Sequence, residues 1–221
     1  MDRRPYDLAI FDFDGTLADT AEWMFGVLNA LARRHGFPEL TRAEIETLRG
    51  RTNREIISSL GVPRWRLPLI ARDGRAMARR DRHAIRLFPE AIDALKALKS
   101  AGLKSAIVSS NSEGTIRHVL AEQAHLVDHY GCGASLFGKA KKLKKAVALT
   151  ETSASRAIGI GDEVRDVEAA KAAGIDSGAV LWGYATSEVL AASNPTLILD
   201  SFDALISRIT ETKPPTEPKI N

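Results

Sequence analysis

After Phe88-Pro89 the chain settles into a regular alternation of helical and strand-forming stretches, and this alternation limits the fold more than any other feature. Helical periodicity over 90–101 gives way to a strand over 103–109, and a helix over 113–122 leads to a short strand near 126–130. Helix 140–149, strand 156–160, helix 164–173 and strand 178–182 follow, and a strand-helix pair around 196–209 closes the series. Strands joined through helices run parallel, because each crossover carries the chain back to the end where the previous strand began. Parallel sheets are buried on both faces, so the pattern predicts an α/β fold with a Rossmann-like, three-layer parallel-sheet core.

The first ninety residues read differently. Leu8 to Phe13 predicts a buried opening strand, and Asp19-Thr20-Ala21-Glu22 has the spacing of a capping box opening a helix toward Arg34. From Thr41 to about Arg86 the pattern is helical, broken at Gly50, at Gly61-Val62-Pro63 and at Pro68, with no strand. The predicted organisation is an α/β core over 1–18 and 87–210, an inserted all-helical domain over 19–86, and a Pro-rich polar tail over 211–221 expected to be disordered. A chain of 221 residues that is 44% hydrophobic can bury a full core and still carry such an insertion. A formal net charge of +3 gives no reason to expect a nucleic-acid or membrane partner. The single cysteine, Cys132, cannot form an intramolecular disulfide, and no apolar run reaches the ~18 residues of a membrane span, so a cytoplasmic protein is expected.

In an open parallel sheet, ligands bind beyond the carboxyl ends of the strands. The polar residues that fall there are Asp12 and Asp14 after the first strand, Ser109, Ser110 and Asn111 after the second, Lys139 after a Gly-rich stretch, and Asp162 and Asp166 after 156–160. Carboxylates beside an apolar strand are costly unless a cation pairs with them. Asp12, Asp14, Asp162 and Asp166 form a hard oxygen set of the kind Mg²⁺ takes, with positions left for phosphate oxygens. Lys139, Asn111 and the hydroxyl of Ser110, or of Ser109 in its place, would face the phosphate, and the turn Phe13-Asp14-Gly15 would offer it backbone N–H groups. Strand alternation would put Asp12 and Asp14 on the same side of an extended segment.

Asp12-Phe-Asp-Gly-Thr-Leu17 resembles the first motif of the haloacid dehalogenase superfamily, most closely that of its phosphoglycolate phosphatase-type members. Ser110-Asn111 resembles the second motif, Lys139 the third, and Gly161-Asp-Glu-Val-Arg-Asp166 the fourth. The resemblance implies Asp12 as a nucleophile that forms an aspartyl-phosphate, and Asp14 as acid-base partner with its backbone carbonyl on the metal. It implies Asp162 as a direct Mg²⁺ ligand and Asp166 as a residue adjusting the metal or its water. Dehalogenase members lack the second acid of the first motif, so Asp14 favours phosphoryl chemistry. The helical insertion corresponds to the family's cap, and Leu48-Arg-Gly-Arg-Thr-Asn-Arg-Glu55 resembles its substrate-specificity loop, with Arg51, Asn53 and Arg54 as leaving-group contacts.

The implied activity is that of a Mg²⁺-dependent phosphatase acting on a small phosphorylated metabolite, as a monomer or homodimer. The same rim would serve a phosphoglucomutase-like phosphoryl transferase, and the eight arginines of 64–86 would suit a non-catalytic binding module. One departure concerns the third motif. Many relatives have Lys-Pro-x-Pro, whereas Gly138-Lys-Ala-Lys-Lys-Leu-Lys-Lys145 has five lysines and no proline, leaving Lys141 and Lys142 as alternatives to Lys139. His125, His129 and Cys132 have the spacing of a partial zinc set without a fourth ligand, and are expected on loops or the surface.

Overall fold

The computed structural model describes residues 5–133 and 138–211, without the side chains of Asn53 and Arg54. The expected disordered tail lies, from residue 212 on, outside the described residues. Strand β1 (Leu8–Phe11) is followed by a turn, a two-residue strand β2 (Ala18–Asp19) and four helices: α1 (Ala21–His35), α2 (Arg42–Leu48), α3 (Asn53–Ser59) and α4 (Leu67–Arg80). The chain then passes through β3 (Arg86–Leu87) into α5 (Ala91–Ser100), β4 (Lys104–Ile107), α6 (Glu113–Leu120), β5 (His129–Tyr130) and α7 (Lys139–Leu149). It ends with β6 (Ala157–Gly161), α8 (Val164–Ala173), β7 (Asp176–Val180), α9 (Ser187–Ala192), β8 (Leu197–Leu199) and α10 (Phe202–Thr210).

Six strands form one parallel sheet in the order β5-β4-β1-β6-β7-β8. β1 is central, pairing Leu8 with both Lys104 and Ala157, and Phe11 with both Ile107 and Ile160. From β1 the chain first builds outward through β4 and β5, then returns and builds the other way through β6, β7 and β8. The order therefore reverses between β1 and β6, and a crevice opens beyond their carboxyl ends.

Alternation along β1 divides the core. Leu8 and Ile10 join Leu143, Ala146 and Val147 of α7 and Ala169, Ala170 and Ala173 of α8, while Ala9 and Phe11 join Leu95 and Leu98 of α5 and Leu205 and Ile209 of α10. Both faces are covered by helices, as the unbroken apolar run requires. Gly159 of β6 lies close under α8, where a Cβ would come within 3.2 Å of the Ala170 Cβ.

The helices between β2 and β3 leave and rejoin the core through a short antiparallel ribbon, Ala18 opposite Leu87 and Asp19 opposite Arg86. α1 packs on α4, joined by the buried Asp73, which takes Arg34 Nε at 3.0 Å and His35 Nε2 at 3.2 Å as well as Arg72 Nη2 at 3.1 Å. Burial pushes the Asp73 carboxyl up, but Arg72, Arg34 and His35 outweigh it and hold the group below the usual range.

Several sequence expectations need correction. The first strand stops at Phe11, two residues early, because the chain turns as soon as it reaches the acids. Asp19 to Glu22 forms no capping box: Thr20 occupies the N-cap position without capping, its hydroxyl instead meeting the Tyr184 hydroxyl, and Glu22 pairs with Arg42. Pro68 starts a helix rather than breaking one, since its missing N–H costs nothing in the first turn. The strands β2 and β3 and the six-residue α9 are too short to leave a periodic signal. Among the described residues, no helix is long and apolar enough to cross a membrane.

Leu95 is fully buried between α5 and the sheet. Leu95→Ala is expected to lower the unfolding free energy by about 2–5 kcal/mol in urea titrations, the usual cost of an unfilled core cavity.

Candidate active site

The crevice beyond β1 and β6 is acidic and buried. Asp12 shares the alternation phase of Leu8 and Ile10, so it turns to the face where α7 and α8 begin. Lys139, the first residue of α7, places its Nζ 2.6 Å from Asp12 Oδ2 and 2.6 Å from Asp166 Oδ1. Its side chain is only 12% exposed, so the ammonium forms a largely buried bridge between two carboxylates. Lys141 is exposed, and Lys142 reaches the Cys132 carbonyl instead. Of the three candidate lysines, then, geometry brings Lys139 to the acids.

Asp162 follows β6 and is fully buried. Its Oδ1 accepts from Thr16 Oγ1 at 2.9 Å and its Oδ2 from Tyr184 N at 2.8 Å. Asp12, Asp162 and Asp166 each offer a carboxylate oxygen within 4.8 Å of the others, the only such group of His, Cys, Asp or Glu ligands found among the described residues. His125, His129 and Cys132 do not form one; the His125 ring meets the Glu122 carbonyl at 2.7 Å. Burial of Cys132, reinforced by Glu113, pushes its thiol up to about 12.

Asp14 stands apart from this group. It lies in the turn after β1, and both its oxygens accept from Asn111 Nδ2, at 3.1 and 2.8 Å. The two acids of the opening motif therefore face different partners instead of lying side by side on a strand. Asn111, expected to face the phosphate directly, holds Asp14, while its own N–H donates to Ser109 Oγ at 3.0 Å. Ser110 is exposed at the rim. Gly15 is corrected as a source of phosphate-facing N–H groups, because its N–H donates to the Ala18 carbonyl at 2.9 Å and closes the turn. Its role is close approach: φ is +75°, and a Cβ there would fall 2.2 Å from Asp162 Oδ2. Arg51 is exposed on the loop before α3, and the Asn53 and Arg54 side chains lie outside the described residues.

The electrostatics follow from crowding. Burial raises Asp12 and Asp162 above the usual carboxylate range, Asp166 adding to both, while Lys139 opposes the rise at Asp12. Asp166 is also buried, but Lys139 and Arg165 outweigh burial and hold it low. Burial, then repulsion from Asp12, lifts Asp14 to about 7, where a carboxyl can both give and take a proton near neutral pH. Against the carboxylates of Asp12, Asp14, Asp162, Glu163 and Asp166 stand Lys139 and Arg165, the latter paired with Glu163. A set of hard oxygens with this excess of negative charge fits a divalent cation such as Mg²⁺.

Thr16, Thr20, Arg165 and Tyr184 were missed in the sequence reading. Thr16 and Arg165 lie inside the motifs and could have been found by asking which neighbours hold each acid. Tyr184 lies 22 residues beyond Asp162, and no local signal connects the two.

The profile of a family described as haloacid dehalogenase-like hydrolase matches residues 9–180. The chain belongs to this family. Among curated relatives, the phosphoglycolate phosphatase of Synechococcus elongatus is 30% identical over 204 residues, covering 91% of this chain and 96% of that protein. The phosphoglycolate phosphatase of Caulobacter vibrioides is 31% identical over 206 residues, covering 87% and 86%. A haloacid dehalogenase-like family hydrolase from Streptococcus pneumoniae superposes with a TM-score of 0.75 at 21% identity, covering 92% of this chain and 98% of that one. CbbY from Rhodobacter sphaeroides, solved in complex with phosphate, gives 0.67 at 23% identity, covering 89% and 95%. The family is one of hydrolases, and the curated relatives named here are phosphatases matched over most of their length.

The charge balance predicts stability changes of opposite sign. In the metal-free protein, Lys139→Met leaves Asp12 and Asp166 buried without the cation they share, and should cost about 3–5 kcal/mol in chemical denaturation. Asp162→Asn removes one crowded charge and should instead raise the metal-free Tm, by about 2–4 °C for each kcal/mol of relief.

Proposed function

We propose that this protein is a Mg²⁺-dependent phosphatase that hydrolyses a small phosphomonoester through an aspartyl-phosphate on Asp12. The observation that carries the reading is the convergence of Asp12, Asp162 and Asp166 within 4.8 Å, with Lys139 bridging two of them, at the point where the sheet order reverses. A binding module would have no chemical use for so costly a cluster.

In this reading Asp12, Asp162 and the Asp14 backbone carbonyl hold the cation, with Asp166 steering it or its water. Mg²⁺, when bound, would neutralise the crowded acids and lower the repulsion between Asp12 and an incoming phosphate. A carboxylate oxygen of Asp12 attacks phosphorus in line, and the bond from phosphorus to the leaving oxygen breaks. Asp14, held by Asn111, gives its proton to that oxygen. It then takes a proton from water as the water attacks phosphorus, which releases phosphate and restores Asp12. Lys139 keeps Asp12 ionised and in place, and offers its remaining charge to the equatorial phosphate oxygens. Ser110, at the exposed rim, would donate to the same group.

Residues 19–86 would act as a cap over the core of 1–18 and 87–210, excluding water during the reaction. Arg51, Asn53 and Arg54 would meet the leaving group from that side. The relatives' names point to phosphoglycolate, or another small phosphorylated acid or sugar, as the substrate to try first. The composition is consistent with a cytoplasmic setting.

Purified protein is expected to release phosphate from a panel of phosphorylated metabolites and from an activated aryl phosphate when Mg²⁺ is present, and to stop when Mg²⁺ is chelated. Asp12→Asn should lower turnover by about 10³-fold or more. Comparable turnover in Asp12→Asn would remove Asp12 from the nucleophile's role. No hydrolysis of any phosphomonoester by wild type would end the phosphatase reading. Arg51→Ala should change the ranking of substrates more than the rate on the aryl phosphate.

A further inference from the structure

Tyr184 and Gly183 lie in the loop after β7, and a residue far from them in sequence grips them. Arg49, the residue that ends α2, donates from Nε to the Tyr184 carbonyl at 2.8 Å and from Nη2 to the Gly183 carbonyl at 3.2 Å. The contact is returned by Thr186 N, which donates to the Arg49 carbonyl at 3.1 Å. Glu46, one turn back, accepts from Arg49 Nη1 at 3.0 Å and steadies the guanidinium.

The Gly183 carbonyl and the Tyr184 N–H are two ends of the same peptide group. Arg49 binds the carbonyl end, and Asp162 Oδ2 accepts from the N–H end at 2.8 Å. A charged donor on the carbonyl polarises the peptide and strengthens the bond its N–H makes. The approach is close: a Cβ on Gly183 would fall 2.2 Å from the Asp162 Cβ, so only glycine allows this peptide to lie on Asp162. Tyr184 is tied a second time through its hydroxyl, which meets Thr20 at the start of α1. Both ends of the loop's grip therefore belong to the inserted helical segment, and its target is a carboxylate of the acid cluster.

We propose that Arg49 is a positioning residue for the cation site, tying the seating of the helical segment to the orientation of Asp162 through the Gly183–Tyr184 peptide. The inference rests on the reading of Asp12, Asp162 and Asp166 as a Mg²⁺ site. It separates from a plain charge effect by sign: deleting a positive charge near an acidic site favours a cation by Coulomb's law. Losing the grip on Asp162 disfavours it.

The test is Mg²⁺ binding by titration calorimetry on the full chain, without substrate. Arg49→Met is expected to weaken Mg²⁺ by about tenfold, the low end for partners of ligands. At saturating Mg²⁺ its KM for an aryl phosphate should stay near wild type, while kcat at limiting Mg²⁺ falls. Arg49→Lys keeps the charge but not the two-pronged donor, and should lose most of the same affinity; it also carries the test if the Met variant fails to fold. Arg42→Ala removes an exposed charge from the same helix and is expected to leave Mg²⁺ affinity unchanged. Wild-type affinity in Arg49→Met or Arg49→Lys overturns the inference, as does an equal loss in Arg42→Ala. A wild type that binds Mg²⁺ and turns over, with unaltered Arg49 variants, removes this inference alone. A wild type that binds no Mg²⁺ removes the metal reading and the inference with it.

Discussion

A carboxylate just after β1 and another in the first turn of α8 share the ammonium of Lys139, and the rest of the crevice is arranged around that contact. It is possible because β1 is central and β6 lies beside it, so Asp12 and the start of α8 meet at the reversal of strand order. The phase of β1 turns Asp12 toward α7 and α8, and α7 begins with the lysine at that level. One cation cannot balance the cluster. Burial, with the neighbouring acids adding to it, holds Asp12 and Asp162 above the usual carboxylate range even with Lys139 and Arg165 present, a perturbation typical of functional sites.

Close packing by glycine gives the cluster its geometry. A Cβ at Gly15, Gly161 or Gly183 would overlap Asp162 or Asp166 at 2.2–2.3 Å. Backbone thus surrounds the acids on three sides where side chains would push them apart. Thr16 and the Tyr184 N–H then fix the two oxygens of Asp162, and Asn111 fixes those of Asp14. Each acid has its own orienting donors, so the carboxylates differ in role although the motif presents them as near equivalents.

Much of this was legible in the sequence. Period and punctuation gave the alternation after Phe88, and helix α8 falls on the residues expected, 164–173. Asp12, Asp162, Asp166 and Lys139 were named because strand ends in a parallel sheet converge, which is a property of topology and needs no contacts. What could not be read depends on contacts between distant residues. Asp19 to Glu22 has the local spacing of a capping box, yet Thr20 takes the N-cap position and a tyrosine 164 residues away takes its hydroxyl. Gly15 was read as a phosphate cradle, but its N–H closes a turn and its missing side chain makes room for Asp162. The lysine run left three candidates, and only the start of α7 relative to β1 separates Lys139 from Lys141 and Lys142.

The central claim is that Asp12 carries the phosphoryl group during turnover. Rapid acid quench of the first turnover with Mg²⁺ and a cleaved phosphomonoester, followed by peptide mass spectrometry, tests it directly. The account predicts a phosphoryl group on the peptide containing Asp12, absent when Asp12 is asparagine. Turnover with the phosphoryl group on another residue, or with none on the enzyme at any quench time, would contradict it.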